Sequence, residues 1–259
     1  MSDRPTARTA LITGASSGIG ADLADLFAAD GYDVVLVARN ESKLEEVAAR
    51  ARSRGVNAQV LAADLAKPDA PRQIAERVQR VDALVNNAGF GVVGPFAETN
   101  GEQELEMLQV NIVALTHLTK LFLPQMLARK RGHVMNVAST AAFQPGPLMA
   151  VYYATKAYVL SFSEALAEEV SGSGVSVTAL CPGPTATGFA DAAAMTKTNL
   201  FTKMQPAGSK GVARAGFEGM KRGRRIVIPG LRNRIMAQSV RVSPRALVTK
   251  IVRKLQEEG

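Results

Sequence analysis

Residues 9–27 read TALITGASSGIGADLADLF. A short apolar, β-branched run ends at Thr13, and a glycine-rich turn leads into a segment with helical periodicity. Gly14, Gly18 and Gly20 are spaced G-x-x-x-G-x-G. Glycine permits a tight turn and lets an anion approach the main chain closely. The helix start that follows offers N–H groups without intrahelical partners. Ser16 and Ser17 add hydroxyl donors. Strand before and helix after is the context that makes such a cluster a pyrophosphate cradle.

The same alternation runs outward along the chain. TALIT, DVVLVA, AQVLAA, DALVNN, GHVMNVA, VSVTAL and RIVIP read as seven strands. Most are continuous apolar runs, as parallel strands buried on both faces require. Helical stretches near 18–29, 41–54, 69–79, 102–129 and 152–170 separate them. The expectation is a Rossmann-type, doubly wound α/β fold: a seven-stranded parallel sheet with helices on both faces, in a single domain over 1–259. No internal repeat or interdomain linker interrupts it. The segment 184–210 follows a strand directly, is rich in Ala, Thr and Met, and reads as a substrate lid. SPRALVTKIVRKLQ reads as a final helix, with Ser243 as cap and Pro244 in its first turn. Leu247, Ile251 and Leu255 form its expected apolar face against the core or a partner subunit.

Composition narrows the function. Hydrophobic residues make up 47% of the 259 and charged residues 21%, which is a globular rather than a disordered balance. Cys181 is the single cysteine, and His117 and His133 are the only histidines. An internal disulfide is excluded and a cysteine-rich or histidine-rich metal site has no ligands to draw on, so no metal is expected. The first ten residues lack the apolar stretch of a signal peptide, and no apolar run is long enough to span a bilayer. The expected location is the cytoplasm. Net charge is +8 overall, but the stretch from Lys203 onward holds 14 Lys/Arg against 3 Glu. This basic C-terminal region, about 221–259, lacks the aromatic interleaving and helix-turn-helix signature of a nucleic-acid binder. A solvated or oligomer-related surface is the reading preferred, with no nucleic-acid partner.

The second strand ends in VLVARNESKL. In this architecture that position meets the adenosine ribose, where an acid accepts from the 2′-hydroxyl of NAD and an arginine suits the 2′-phosphate of NADP. Arg39 stands there, beside a helix start where a cation alone is mildly unfavourable, so NADP is expected over NAD. Asp64, after the third strand, suits the adenine amino group or an N-cap of the next helix.

VYYATKAYVL places Tyr152 and Lys156 four residues apart, one helical turn on one face. Tyr153 and Tyr158 are close by, but only Tyr152 has a lysine at that spacing. An ammonium beside a phenol favours the phenolate. Lowering a phenol from about 10 by about 3 units takes roughly 4 kcal/mol; Lys156 together with a positive nicotinamide ring is the expected source. Ser139 ends the strand GHVMNVAS thirteen residues earlier, where its hydroxyl can steady a substrate oxygen; Thr140 is the rival hydroxyl. His117 and His133 read as structural and Cys181 as a core thiol.

TGASSGIG at 13–20, NNAG at 86–89, Asn111, Ser139, YYATK at 152–156 and PGPTAT at 182–187 occur in the order and at the spacing of the short-chain dehydrogenase/reductase family, which the chain resembles over residues 8–190. The resemblance implies an oxidoreductase that moves a hydride between a nicotinamide and a carbonyl/alcohol pair. It implies that Gly14, Ser16, Ser17, Gly18, Ile19 and Gly20 hold the pyrophosphate. Arg39, Asp64 and Leu65 would take the adenosine end. Asn86, Ala88 and Gly89 would lie along the cofactor, and Pro182, Gly183, Thr185 and Thr187 would flank the nicotinamide. Lys156 would bind the ribose hydroxyls and tune Tyr152, while Asn111 would hold a water linking Lys156 to solvent. Tyr152 would exchange the proton with the substrate oxygen. Some NADP-preferring members carry a basic residue in the glycine loop where this chain has Ser17, so the cofactor expectation rests on Arg39.

The stretches 90–96, 140–150 and 184–205 would form the substrate pocket. Among their apolar residues are Phe90, Phe96, Phe143, Leu148, Met149, Phe189 and Phe201, with Met195 and Met204 near the mouth. An apolar ketone, 3-oxoacyl or steroid-like substrate fits them. The rival to an enzyme is a catalytically silent NADP-binding sensor or scaffold on the same fold. Family likeness further implies a homodimer or homotetramer with the helices near 102–129 and 152–170 as interfaces.

Overall fold

The computed structural model describes residues 8–188 and 206–257. Six strands, β1 (Thr9–Thr13), β2 (Asp33–Ala38), β3 (Ala58–Ala62), β4 (Ala83–Asn86), β5 (Gly132–Val137) and β6 (Val175–Leu180), carry most of one sheet. Two-residue strands follow: β7 (Thr185–Ala186), β8 (Ala207–Gly208) and β9 (Ile226–Val227). The main sheet has seven strands in the order β3-β2-β1-β4-β5-β6-β9, and every pairing in it is parallel. The expected doubly wound α/β fold is what the chain adopts.

Parallel strands require crossovers, and the helices supply them on both faces. On one face α1 (Gly18–Ala29), α2 (Glu41–Arg52) and a later helix, α7 (Ser209–Lys221), pack over β1, β2 and β4. Phe27 centres that layer, with edge-on contacts to Tyr32 at 5.1 Å and Phe217 at 5.0 Å. The other face is covered by α3 (Ala70–Arg77), α5 (Leu115–Ala128) and the end of α6 (Ala150–Glu169).

The expected helix 102–129 is three connected pieces. α4 (Gly101–Leu108) passes into a π-helical turn, Gln109–Ala114, and then into α5. Such a turn inserts extra backbone into the helix and recurs at functional sites; here it carries Asn111. α7 was not anticipated, because Gly211, Gly216 and Gly219 depress its helix propensity. Two of these glycines have a packing reason. A Cβ at Gly216 or Gly219 would overlap Leu180 or Val227, so glycine lets α7 lie close against the sheet.

The C-terminal region folds back as α8 (Leu231–Val242) and α9 (Arg245–Gln256). Here the expectation needs correcting. Ser243 is the residue that ends α8 rather than the cap of α9, which starts after Pro244. Leu247 and Ile251 are half exposed, and the buried stripe is Val248, Val252 and Gln256. The stripe lies one position over because Gln256 is buried through a hydrogen bond that hydropathy does not register. No helix among the described residues is long and apolar enough to cross a membrane.

The expected lid, 184–210, falls mostly outside the described residues, as do Phe189, Met195, Phe201 and Met204. Its two described ends pair: Thr185 lies opposite Ala207, and Ala186 opposite Gly208.

Candidate active site

Strand order reverses between β1 and β4, so the loops after them part at the carboxyl edge of the sheet. A crevice at such a switch point is where open α/β sheets bind ligands. A cavity of about 670 Å³ opens there, running from the glycine turn and Arg39 to Ser139, Tyr152 and Lys156, and on to α8 and α9.

The glycine turn is tightly built. Gly14 has φ +64°, and Gly18 has φ +55°, a left-handed region that glycine enters without steric cost. A Cβ on Gly20 would fall on Gly14 O and lie 2.5 Å from Asn87 Nδ2. Asn87 is the brace of this turn: its Nδ2 donates to Thr13 O at 2.9 Å and to Gly14 O at 3.1 Å. The start of α1 is left uncapped, since Ser17 makes no capping hydrogen bond and no acid stands in the first turn. An uncapped helix start facing a cavity, with backbone brought close by glycine, fits a phosphate group.

Arg39 lines the cavity and is exposed. It has no carboxylate partner among the described residues. Asn40, not Arg39, caps α2, accepting from Lys43 N at 3.0 Å. Asp64 lines the cavity with Leu65. It does not cap α3, whose cap position is Asp69; its Oδ1 instead accepts from Ala66 N at 3.1 Å and holds the loop after β3.

Past the switch point lie Ala88 and Gly89, on the wall of the cavity. Asn86 does not line it. It is 2% exposed within the sheet, where its Nδ2 donates to Thr119 Oγ1 at 3.0 Å and Asn136 Oδ1 at 2.9 Å. Side chains alternate along a strand, so Asn87, one residue on, is the one that reaches the cavity. Of the NNAG pair the sequence points to Asn86, while the structure places Asn87 on the cavity wall. Gly20 also sits behind the surface, as packing against the turn rather than as wall.

The reacting end is assembled from three elements. Ser139 closes β5, and its Oγ accepts from Ala141 N at 3.0 Å, which starts a short turn, Thr140–Phe143. Tyr152 lies in the first turn of α6 and hydrogen-bonds Ser139. Lys156 lies one turn on, 5% exposed, with its Nζ 5.7 Å from the centre of the Tyr152 ring. That Nζ donates to Val137 O at 2.9 Å. Asn111 stands behind Gly89. It clamps Phe90 through both main-chain atoms, accepting from its N at 3.1 Å and donating to its O at 2.9 Å. Its Nδ2 also reaches Thr155 Oγ1 at 3.1 Å.

Burial governs the electrostatics of the reacting end. Burial pushes the Tyr152 phenol well above its ordinary range, against a lowering hydrogen bond from Ser139. Burial also brings the Lys156 ammonium down to about 8. Lys156 Nζ uses one of its three N–H donors on Val137 O and keeps two for other partners. Burial thus favours the neutral form of Tyr152. Cys181 is buried and its thiol is pushed up to about 12, chiefly by burial, so it is inert. His133 bridges to Ser176 Oγ at 2.8 Å across β5 and β6, the structural role expected of it.

Pro182, Gly183, Thr185 and Thr187 line the cavity opposite. Of the expected substrate residues, Phe90 and Met149 line it as well. Phe143 does not; it packs against the core cluster around Leu115, Val159 and Cys181. Phe96 is 68% exposed and Leu148 is not part of the wall. Sequence reasoning missed the far wall, which Met236, Val240, Val248, Val252 and Gln256 supply from α8 and α9. Among the described residues no cluster of three or more His, Cys, Asp or Glu could hold a metal.

Comparison with known proteins agrees with this geometry. Residues 8–198 match the family model for short chain dehydrogenases. A very-long-chain 3-oxoacyl-CoA reductase of Phaeosphaeria nodorum is 37% identical over 182 residues, or 67% of this chain and 53% of that protein. The chain thus spans about half the length of that curated relative. A short-chain dehydrogenase from Sphingobium yanoikuyae, solved with NADPH, superposes with a TM-score of 0.83 at 34% identity, covering 93% of this chain and 94% of that one. A short chain dehydrogenase/reductase from Burkholderia phymatum, solved with NAD, superposes at 0.80 with 26% identity over 98% of each chain. With its switch-point cavity, its glycine turn and its serine, tyrosine and lysine at one end, this chain belongs to the short-chain dehydrogenase/reductase family, oxidoreductases that act on carbonyl/alcohol pairs.

Proposed function

We propose that the chain is an NADP(H)-dependent reductase of apolar carbonyl compounds: ketones, 3-oxoacyl compounds or steroid-like molecules. The observation that carries this is one continuous cavity, with Arg39 beside the uncapped glycine turn at one end and Ser139, Tyr152 and Lys156 together at the other.

A nicotinamide dinucleotide bound there supplies the hydride. The chain's own residues bind and orient. The glycine turn, Ser16, Ser17 and Ile19 would hold the pyrophosphate, and Arg39 the 2′-phosphate, where a guanidinium makes charge-assisted hydrogen bonds. Asp64 and Leu65 would take the adenine. Ala88 and Gly89 would leave room along the cofactor, while Pro182, Gly183, Thr185 and Thr187 would shape its nicotinamide end. Lys156 would donate to ribose hydroxyls. Asn111 is a positioning residue, fixing Phe90 and Thr155 around Lys156.

Ser139 Oγ would hydrogen-bond the substrate oxygen, and Tyr152 Oη would deliver its proton to that oxygen as the carbonyl carbon is reduced. A buried neutral phenol suits a proton donor to the substrate oxygen. Met149, Phe90 and the α8–α9 wall supply apolar surface for the rest of the substrate.

The test is NADPH oxidation by the purified chain against ketones, aldehydes, 3-oxoacyl esters and steroids. Turnover of at least one class is expected. Tyr152→Phe should lower kcat by about 10²–10⁴-fold and leave the NADPH Kd within a few-fold. NADPH binding without turnover of any carbonyl would instead favour a silent dinucleotide binder.

A further inference from the structure

The far wall of the cavity holds one buried polar contact that the chemistry above does not use. Gln256, the last residue of α9, donates from Nε2 to Tyr153 Oη at 2.7 Å. Gln256 is 2% exposed and Tyr153 6%. Both line the cavity. Their surroundings are apolar: Tyr153 packs in one cluster with Met107, Met149, Val248 and Val252.

The hydrogen-bond count of this pair is incomplete. A phenol hydroxyl donates once and accepts; a carboxamide has two donors and one acceptor oxygen. Tyr153 Oη accepts from Gln256, which leaves its own proton to give. Gln256 Oε1 is buried and has no hydrogen-bond partner. Turning the amide by half a revolution exchanges the two roles and leaves both amide N–H donors and a lone pair of the phenol oxygen unused. A buried acceptor without a partner is costly, and a helix contact needing only adhesion is served by Val248 and Val252. The wall position of the pair supplies a different explanation, a ligand group that completes the set.

Geometry holds the pair in place. A Cβ on Gly146 would overlap the Tyr153 ring, so that ring lies directly on the loop before α6. Tyr152 and Tyr153 are successive residues with ring centres 6.1 Å apart and planes 79° apart. One rigid helix start therefore fixes both the reacting hydroxyl and the remote one.

We propose that Tyr153 and Gln256 form a second polar subsite that recognises a neutral hydroxyl on an otherwise apolar carbonyl substrate, remote from the reacting oxygen. A hydroxyl accepts from Tyr153 and donates to Gln256 Oε1, matching the free phenol proton and the unpartnered amide oxygen. A carboxylate accepts from the phenol but meets the amide oxygen with like polarity. Tyr153 and Gln256 are thus specificity-determining residues, and the preferred substrate is a hydroxy-ketone with an apolar spacer. This rests on the carbonyl-reductase reading given above.

The probes are the 2-alkanones from hexan-2-one to dodecan-2-one and their terminally hydroxylated counterparts, so that no spacer length is assumed. The parent, Tyr153→Phe and Gln256→Met are compared by the hydroxy-to-plain ratio of kcat/KM at each length. The parent should prefer the hydroxylated ketone by about 10-fold or more at one length, since a site built to bond a hydroxyl rejects the analogue lacking it. Either variant should bring that ratio to about one, through KM of the hydroxylated ketone. Calorimetric binding of the same probes to the NADPH-loaded Tyr152→Phe protein reads the preference without turnover. No hydroxyl preference at any length, or a preference that survives both variants, overturns the subsite. Equal loss on both probe series assigns the pair to packing and also overturns it. If the parent reduces no probe of either series but the binding arm shows the preference, the reductase reading fails and the subsite stands.

Discussion

Lys156 is a cation enclosed by the protein, and Lys156→Met removes its charge with little change of volume. Its pKa falls from 10.5 to about 8 on folding because burial disfavours the charged form. A drop of that size corresponds to about 3 kcal/mol against the folded state. The ammonium returns part of it through the hydrogen bond to Val137 O, worth roughly 1 kcal/mol net. Lys156→Met is therefore expected to stabilise the chain by about 2 kcal/mol at pH 7, raising Tm by about 4–8 °C for a domain of this size. The pH dependence gives the sharper test. The folded value lies below the unfolded one, so between them the unfolded chain binds more protons and the parent gains stability as pH rises. The penalty is complete below about pH 8 and gone above 10.5. Urea unfolding of both proteins at intervals across that range should show the advantage of the methionine shrinking to nothing and then reversing by roughly the value of the lost hydrogen bond. Carbonyl reduction should meanwhile fall by about 10²-fold or more, since orientation and charge at the reacting end are lost. A methionine variant less stable than the parent at pH 7, or an advantage that ignores pH, would refute the assignment of Lys156 as a strained buried cation.

Arg39→Asp should cut the NADPH-to-NADH ratio of kcat/KM by about 10–100-fold, the value of a hydrogen bond to a charged group; an unchanged ratio would remove Arg39 from the 2′-phosphate. Gly20→Ala places a Cβ on Gly14 O and 2.5 Å from Asn87 Nδ2, so overpacking should cost about 1–3 kcal/mol in urea unfolding and weaken NADPH binding in titration. Unaltered binding would show that the turn can yield. Asp82 is buried at the base of the sheet, where desolvation is outweighed by Arg80 and the Thr9 N–H, which hold its carboxyl below the usual range. Asp82→Asn should cost about 1–3 kcal/mol at neutral pH, and the deficit should close as pH falls below 3.8. A deficit that persists in acid would mean that shape rather than charge is what Asp82 supplies.

Local pattern carried the reading a long way. Continuous apolar strands separated by periodic helices specify a parallel sheet, because only that sheet buries strands on both faces. The glycine turn declared itself through its flanks, and Tyr152 and Lys156 through the helical repeat. Where the reading failed, neighbours distant in sequence had decided the outcome. Asn86 and Asn87 are both polar residues after an apolar run, and only the pleat of β4 turns one into the sheet and the other toward the cavity. α7 is poor in propensity and forms because its glycines fit against Leu180 and Val227.

The sequence by itself determined the doubly wound sheet, the phosphate turn and the Ser139, Tyr152 and Lys156 set, since each rests on repeats or flanks within some twenty residues. Tertiary structure alone decided the rest. Burial is a property of the whole packed chain, so only the fold reveals that the Tyr152 phenol is pushed up and Lys156 is brought down to about 8. Only the fold carries Gln256 across 103 positions of sequence to Tyr153, and a glutamine with no motif around it then becomes part of the cavity wall.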